Sequence, residues 1–249
     1  MCTHARAVVV PLVVLASLLA AGQGATTIYH PLDVGTEWHY ANELGQTHSR
    51  SMTGIQEVLG VETVVRHEEI SESGAVIDLF ENFWTCDGEG DLYLHGAVNY
   101  MYGFEAAYCP PIMIVDSPLE YDKIWVTQDV QRCDLDGSNC SDPFDVAYIV
   151  CVEEEVFVPA GAFHSFGIGD YPVPPRLQSF AGMQFDVFGR RVPTGGLGGR
   201  FFAKDWYSED VGVVQYQYYT EPEHMMRLEY WQPTPVEPAT WGRLKALYR

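Results

Sequence analysis

Apolar residues in this chain almost never recur at helical spacing. From Thr36 onward, short runs of aromatic and β-branched residues sit between Gly, Pro and Asp turn signals. Alternation with a period of two marks a strand with one buried face, and its repetition between turns predicts antiparallel sheet. Thr36 to Asn42 (TEWHYAN) puts Trp38 and Tyr40 on one face. Ile55 to Glu68 reads as two strands turning near Gly60 and Glu62. Val76 to Thr85 and Leu92 to Gly96 flank an Asp87-Gly88 turn, where glycine supplies the positive φ a hairpin needs. Tyr108 to Pro118, bounded by prolines, reads as a crossing between sheet regions, and Lys123 to Cys133 pairs with Phe144 to Val158. After a Val-Pro-Ala-Gly turn come runs at Ala162 to Gly169, Gln184 to Val192, Arg200 to Tyr207, Val211 to Thr220 and Met225 to Trp231. The expected fold class is all-β, mainly antiparallel: a curved sheet or an incomplete β-barrel.

One internal echo suggests two similarly built halves. Pro31-Leu32 precedes Trp38, and Pro118-Leu119 precedes Trp125, with the same spacing and at a strand start. Proline is tolerated there because the first strand residue need not donate to the ladder. The tryptophan then lands inside and buries a large area.

The N-terminus speaks to compartment. A short stretch with one positive charge, Arg6, precedes an apolar run from Ala7 to Ala21 and the small residues Gly22 to Ala25. That is the pattern of a secretory signal peptide, over residues 1–24. The run is shorter than the about 20 residues a spanning helix needs and contains Pro11. No later run reaches spanning length, so no transmembrane anchor is expected in the mature chain. A β-rich domain is expected over 26–232, then a Pro-rich linker over 233–238 and a basic tail over 239–249. That tail carries Arg243, Lys245 and Arg249 and reads as a docked terminal helix; ATWGRLKALYR (239–249) also resembles C-terminal tails appended to some exported bacterial proteins, which implies instead an address or attachment tag. The whole chain carries a net charge of −20, and such a surface repels nucleic acid.

Export permits disulfides. Five cysteines follow the leader, so one thiol is left over. Cys133 and Cys140 flank a short turn-forming loop and are expected to staple a hairpin. Cys86–Cys109 is the second expected bridge, leaving Cys151 as the spare, buried on a strand.

Four segments together, PLDVGTEWHY (31–40), CPPIMIVDSPL (109–119), VPAGAF (158–163) and WYSEDVGVV (206–214), resemble a broad group of secreted bacterial proteins of uncharacterised function. The resemblance implies a β-rich exported fold, loosely similar to the open barrels of the lipoprotein carrier and receptor family. By that analogy the partner would be a lipid or another envelope component.

No catalytic constellation emerges, and no cofactor is called for. Asp134, Asp136, Asn139 and Asp142 offer hard oxygens in one turn, the chemistry calcium prefers, but without EF-hand spacing. The histidines lack zinc-site spacing, and His164-Ser165 lacks a nucleophile-elbow frame. Glu153 and Glu155 share a strand face expected to meet water; Gly195 to Gly199 reads as a hairpin tip rather than a phosphate loop. The late aromatics Phe201, Phe202, Trp206, Tyr207, Tyr216, Tyr218 and Tyr219 read as core packing, with a platform for carbohydrate or an acyl chain as the alternative. Two functions stay open: a non-catalytic periplasmic or extracellular protein binding an apolar or envelope ligand in its curved sheet, or a surface-displayed module without a small ligand.

Overall fold

The computed structural model describes residues 27–170, 178–180, 183–185, 191–192, 204–217 and 224–234. Its strands are β1 (Glu37–Ala41), β2 (Gln46–Val58), β3 (Val61–Glu72), β4 (Ala75–Cys86), β5 (Leu92–Asn99), β6 (Phe104–Val115), β7 (Ile124–Cys133), β8 (Phe144–Val158) and β9 (Gly161–Asp170). Three short strands follow, β10 (Gln178–Phe180), β11 (Met183–Phe185) and β12 (Arg191–Val192), which form a separate small sheet. The last are β13 (Lys204–Ser208), β14 (Gly212–Gln217) and β15 (Met226–Gln232). The all-β antiparallel class holds, and the sheet closes completely. Its ring order is β1-β15-β14-β13-β9-β8-β7-β6-β5-β4-β3-β2, with Trp38 opposite Trp231 at the seam. Closure leaves the main sheet without an exposed edge.

Three strand readings need correction. Gln184 to Val192 is not one strand, since Gln184 on β11 pairs antiparallel with Val192 on β12. Tyr108 to Val115 does not cross between sheets; it is the second half of β6, paired with β5 and β7. Strand β2 begins at Gln46, earlier than expected, because Ser49 and Ser51 are small and polar and mask the alternation of buried His48, Arg50 and Met52. The tail over 239–249 and the loop Gly195 to Gly199 lie outside the described residues.

The repeated Pro-Leu…Trp opening acquires a place in the ring. Trp38 and Trp125 are each the second residue of their strand, β1 and β7, which stand half a ring apart. Both are buried, and both indole N–H groups bond to backbone, Trp38 to Val211 O at 2.6 Å and Trp125 to Met113 O at 3.0 Å.

Outside the ring lies a second small core. Val58, Val65, Phe83 and Ala107 pack together with Val98 and Leu135. Leu135 belongs to the β7–β8 loop, which the Cys133–Cys140 disulfide closes seven residues apart. A bridge of that loop size is worth about 2–3 kcal/mol in the chain-entropy picture. Cys133→Ser with Cys140→Ser is therefore expected to lower unfolding free energy by that amount in urea titration.

The other expected bridge is absent. Cys86 pairs with Leu92 in β5, and Leu92 with Val115 in β6. Cys109 lies six residues from Val115 along β6, two strands away from Cys86, so the register separates the thiols far beyond bridging reach. Both are free, Cys86 half-buried and Cys109 exposed. Cys151 is also free, but exposed rather than buried, because β8 bulges between Val150 and Val152 and turns it outward.

Gly96 on β5 lies opposite Ala107 on β6. A β-carbon there would lie 2.5 Å from Ala106 O and 3.3 Å from the Ala107 α-carbon. Backbone cannot swing aside as a side chain does. Gly96→Ala is expected to cost about 1–3 kcal/mol, read as a lower urea midpoint at unchanged m-value.

Candidate functional site

Alternation on β1, β2, β3 and β4 aims Trp38, Tyr40, His48, Arg50, Arg66, Glu68, Asn82 and Trp84 into the barrel, all buried. Register then assembles them: Trp38 lies opposite Arg50, Arg50 opposite Glu68, and Arg66 opposite Asn82. Glu68 is the hub. One carboxylate oxygen takes Arg66 Nε at 2.7 Å and Nη2 at 2.6 Å; the other lies 2.9 Å from both Arg50 Nε and His48 Nε2. Arg66 also donates to Asn82 Oδ1 at 3.1 Å and lies 4.5 Å over the Trp84 ring. Arg50 lies between the Tyr40 and Tyr216 rings, at 4.8 and 4.6 Å.

The electrostatics follow from burial. Desolvation alone would raise the Glu68 pKa, but Arg66 and Arg50, with His48 hydrogen-bonded beside them, outweigh it and hold the carboxyl well below its usual range. Burial raises the Tyr40 phenol to about 12. Two arginines against one glutamate leave an excess positive charge, and beyond Glu68 the groups that favour the Arg50 cation are Tyr40, Tyr216 and, least, Asp205 on β13.

Tyr216, His48 and Glu68 form a continuous chain of polar contacts, the arrangement an acid–base relay uses. Their exposures are 1%, 1% and 0%, and the Glu68 oxygens lie at ion-pair distance from Arg66, Arg50 and His48. The cluster is a structural rivet inside the barrel. Sequence reading missed it because an arginine on a strand ordinarily faces water. Its one signal is Arg66 and Glu68 two residues apart, hence on the same face.

The segment before β1 closes one end of the barrel. Residues 27–36 run across it as a strap that buries Tyr29 and His30. Ile28 O accepts Asp210 N–H at 2.7 Å, and Tyr29 Oη accepts Leu119 N–H at 3.4 Å, on the approach to β7 across the ring. His30 stacks on Trp38 at 5.0 Å, and Arg66 Nη1 donates to its Nε2 at 3.0 Å.

The outer surface is mixed: Ile55, Ile124, Val126 and Phe157 are exposed on it beside a polar stretch. Thr47, Ser49, Ser51, His67, Glu69 and Glu81 face outward on β2, β3 and β4. Among the described residues, no helix is long and apolar enough to cross a membrane. An open groove of about 440 Å³ crosses β15, β1, β2 and β3, lined by His39, Thr47, Ser49, Glu69, Glu229 and Tyr230. The His39 and Tyr230 rings stack at 4.2 Å along one wall.

The remaining sequence candidates disperse. Asp134 Oδ2 accepts from Asn139 Nδ2 at 2.6 Å, and Asp136 Oδ1 from Ser138 N–H at 2.8 Å, so the loop uses these oxygens to hold its own turn. Asp142 is exposed beside them. Among the described residues, no three His, Cys, Asp or Glu side chains converge as a metal site. Glu153 and Glu155 flank His164 at 3.3 and 3.7 Å on the exposed face of β8 and β9. Ser165 points the other way, buried, and donates to Phe163 O. Trp206, Tyr207 and Tyr216 are core residues; Phe201, Phe202, Tyr218 and Tyr219 lie outside the described residues.

No protein-family model and no curated protein matches the sequence. Two solved structures are loosely similar. One is designated a lipoprotein, from Parabacteroides distasonis ATCC 8503, at 15% identity and TM-score 0.42, over 84% of this chain and 100% of that one. The other is designated an exported protein with a YmcC-like fold, from Bacteroides fragilis NCTC 9343, at 12% identity and TM-score 0.42, over 83% of this chain and 100% of that one. Likeness at this level carries no statement about function or compartment.

Proposed function

We propose that this chain is an exported, non-catalytic barrel module that recognises an envelope component through its outer surface. The observation that carries this reading is the occupied interior. Trp38, Trp84, Arg50, Tyr40, Tyr108, Tyr216, Phe80 and Phe104 are all nearly or wholly excluded from solvent, and most of the aromatic ones share one core cluster. An acyl-chain carrier needs an apolar lumen, and here ion pairs and aromatic side chains take that place. The groove walled by His39 and Tyr230 supports recognition from outside. Its carboxylates Glu69 and Glu229 and hydroxyls Thr47 and Ser49 suit a hydroxyl-rich or cationic ligand group. Native mass spectrometry of the protein, gently purified from its own envelope, tests the reading. A bare mass is expected. Co-purifying lipid, lost on denaturation and retained when the outer groove is blocked by Ser49→Trp, would replace this reading with the carrier.

A further inference from the structure

We propose that the N-terminal strap is an acid-released latch on its end of the barrel, with His30 as the proton acceptor and Arg66 as the group that then expels it. The geometry fixes the tautomer. Arginine has only donors, so His30 Nε2, 3.0 Å from Arg66 Nη1, must be the accepting nitrogen. The ring proton of the neutral histidine therefore sits on Nδ1. That atom is buried without a hydrogen-bond partner among the described residues and faces the Gly212 α-carbon so closely that a β-carbon there would lie 2.6 Å away.

Protonation removes the only acceptor the ring offers. The Arg66–His30 hydrogen bond then becomes two opposed N–H groups carrying like charge. The ionisable groups facing His30 from the packed strands are Arg50 on β2, Arg66 and Glu68 on β3, and the Tyr207 ring on β13 at 6.5 Å. Glu68 alone favours the cation, and its oxygens are already committed to Arg50, Arg66 and His48. Burial, then Arg66 and Arg50, hold the seated ring well below the ordinary histidine value of 6.5.

The sign follows. The seated strap binds no proton where the released strap does. The latch is fully closed above about pH 6.5 and weakens as pH falls, by about tenfold in equilibrium per unit while the seated ring stays neutral. Release is resisted by the Ile28–Asp210, Tyr29–Leu119 and Thr27–Ser117 hydrogen bonds, the Trp38 stack and the burial of Tyr29, while bonds from Met52 and Thr234 hold residues 33–36 to β2 and to the chain after β15. The barrel ladders are untouched, so the strap leaves first and uncovers the Trp38 and Trp84 end of the interior.

Hydrogen exchange of the full chain between pH 8 and pH 5, expressed as protection factors, tests this. Peptides covering 27–36 and the Asp210 amide are expected to lose protection relative to β3, by up to tenfold per unit below about pH 6.5. His30→Gln, which keeps an acceptor for Arg66 but cannot titrate, is expected to abolish that dependence. His95→Gln, at a buried histidine bonded to Thr85 instead, is expected to retain it. The proposal is overturned if wild-type strap and β3 lose protection together, or if His30→Gln keeps the wild-type pH profile. The wild-type comparison decides even if the variant fails to fold.

Discussion

Glu68→Gln lowers the unfolding free energy by about 3–5 kcal/mol, the expected cost of removing one partner from a buried ion cluster. The substitution preserves volume, so packing is not the cause. It leaves Arg50 and Arg66 in the barrel with no carboxylate between them, and it puts an amide N–H where an acceptor stood. Urea titration at neutral pH reads the loss as a lower midpoint. The control is the triple variant Arg50→Met, Arg66→Met, Glu68→Met, which buries no charge and is expected to recover much of the loss. A Glu68→Gln cost below 1 kcal/mol would show that the cluster is not the rivet described here. The Glu68 contribution also has a pH window. Its folded pKa is depressed, so the stabilisation is complete above the ordinary carboxylate value and disappears only as pH falls through the lower, folded value.

Trp38→Ala and Trp125→Ala are each expected to cost about 3–5 kcal/mol, as large-to-small changes at buried aromatic sites do. Trp38 loses its stack on His30 and its bond to Val211 O. Trp125 loses its bond to Met113 O and its contact with Tyr148 at 5.9 Å. Val126→Ala, next to Trp125 but facing outward at 48% exposure, is expected to change stability by less than about 0.5 kcal/mol. The contrast between Trp125 and Val126 tests the inward face, and the agreement between Trp38 and Trp125 tests the equivalence of the two openings.

The sequence exposed the strands where alternation was apolar against polar, as at Trp38 and Tyr40. It concealed them where the inward residues were charged. His48, Arg50, Arg66 and Glu68 carry no hydrophobic signal, and only the register of four strands shows that they share one interior. Closure was hidden for a related reason. The pairing of Trp38 with Trp231 joins the two ends of the ring, and local pattern contains nothing about so distant a partner. The Cys133–Cys140 loop was legible because its ends are close along the chain. The failed Cys86–Cys109 pairing was a guess about strand offset, which bulges at Leu92 and Leu94 shift further.

The seam between β1 and β15 sets an order of events in the life of the chain. As the polypeptide emerges, β1 can pair with β2 at once, but its other edge waits for nearly the entire remaining sequence. Until residues 226–232 arrive, that edge presents unpaired amides; until β14 arrives shortly before them, Arg50 lacks the Tyr216 ring that lies against it. Contacts this distant along the chain slow maturation and lengthen the period in which a half-made sheet can capture a stranger. A truncation that removes β15 therefore forfeits far more than one strand: it turns a sealed ring into a sticky ribbon.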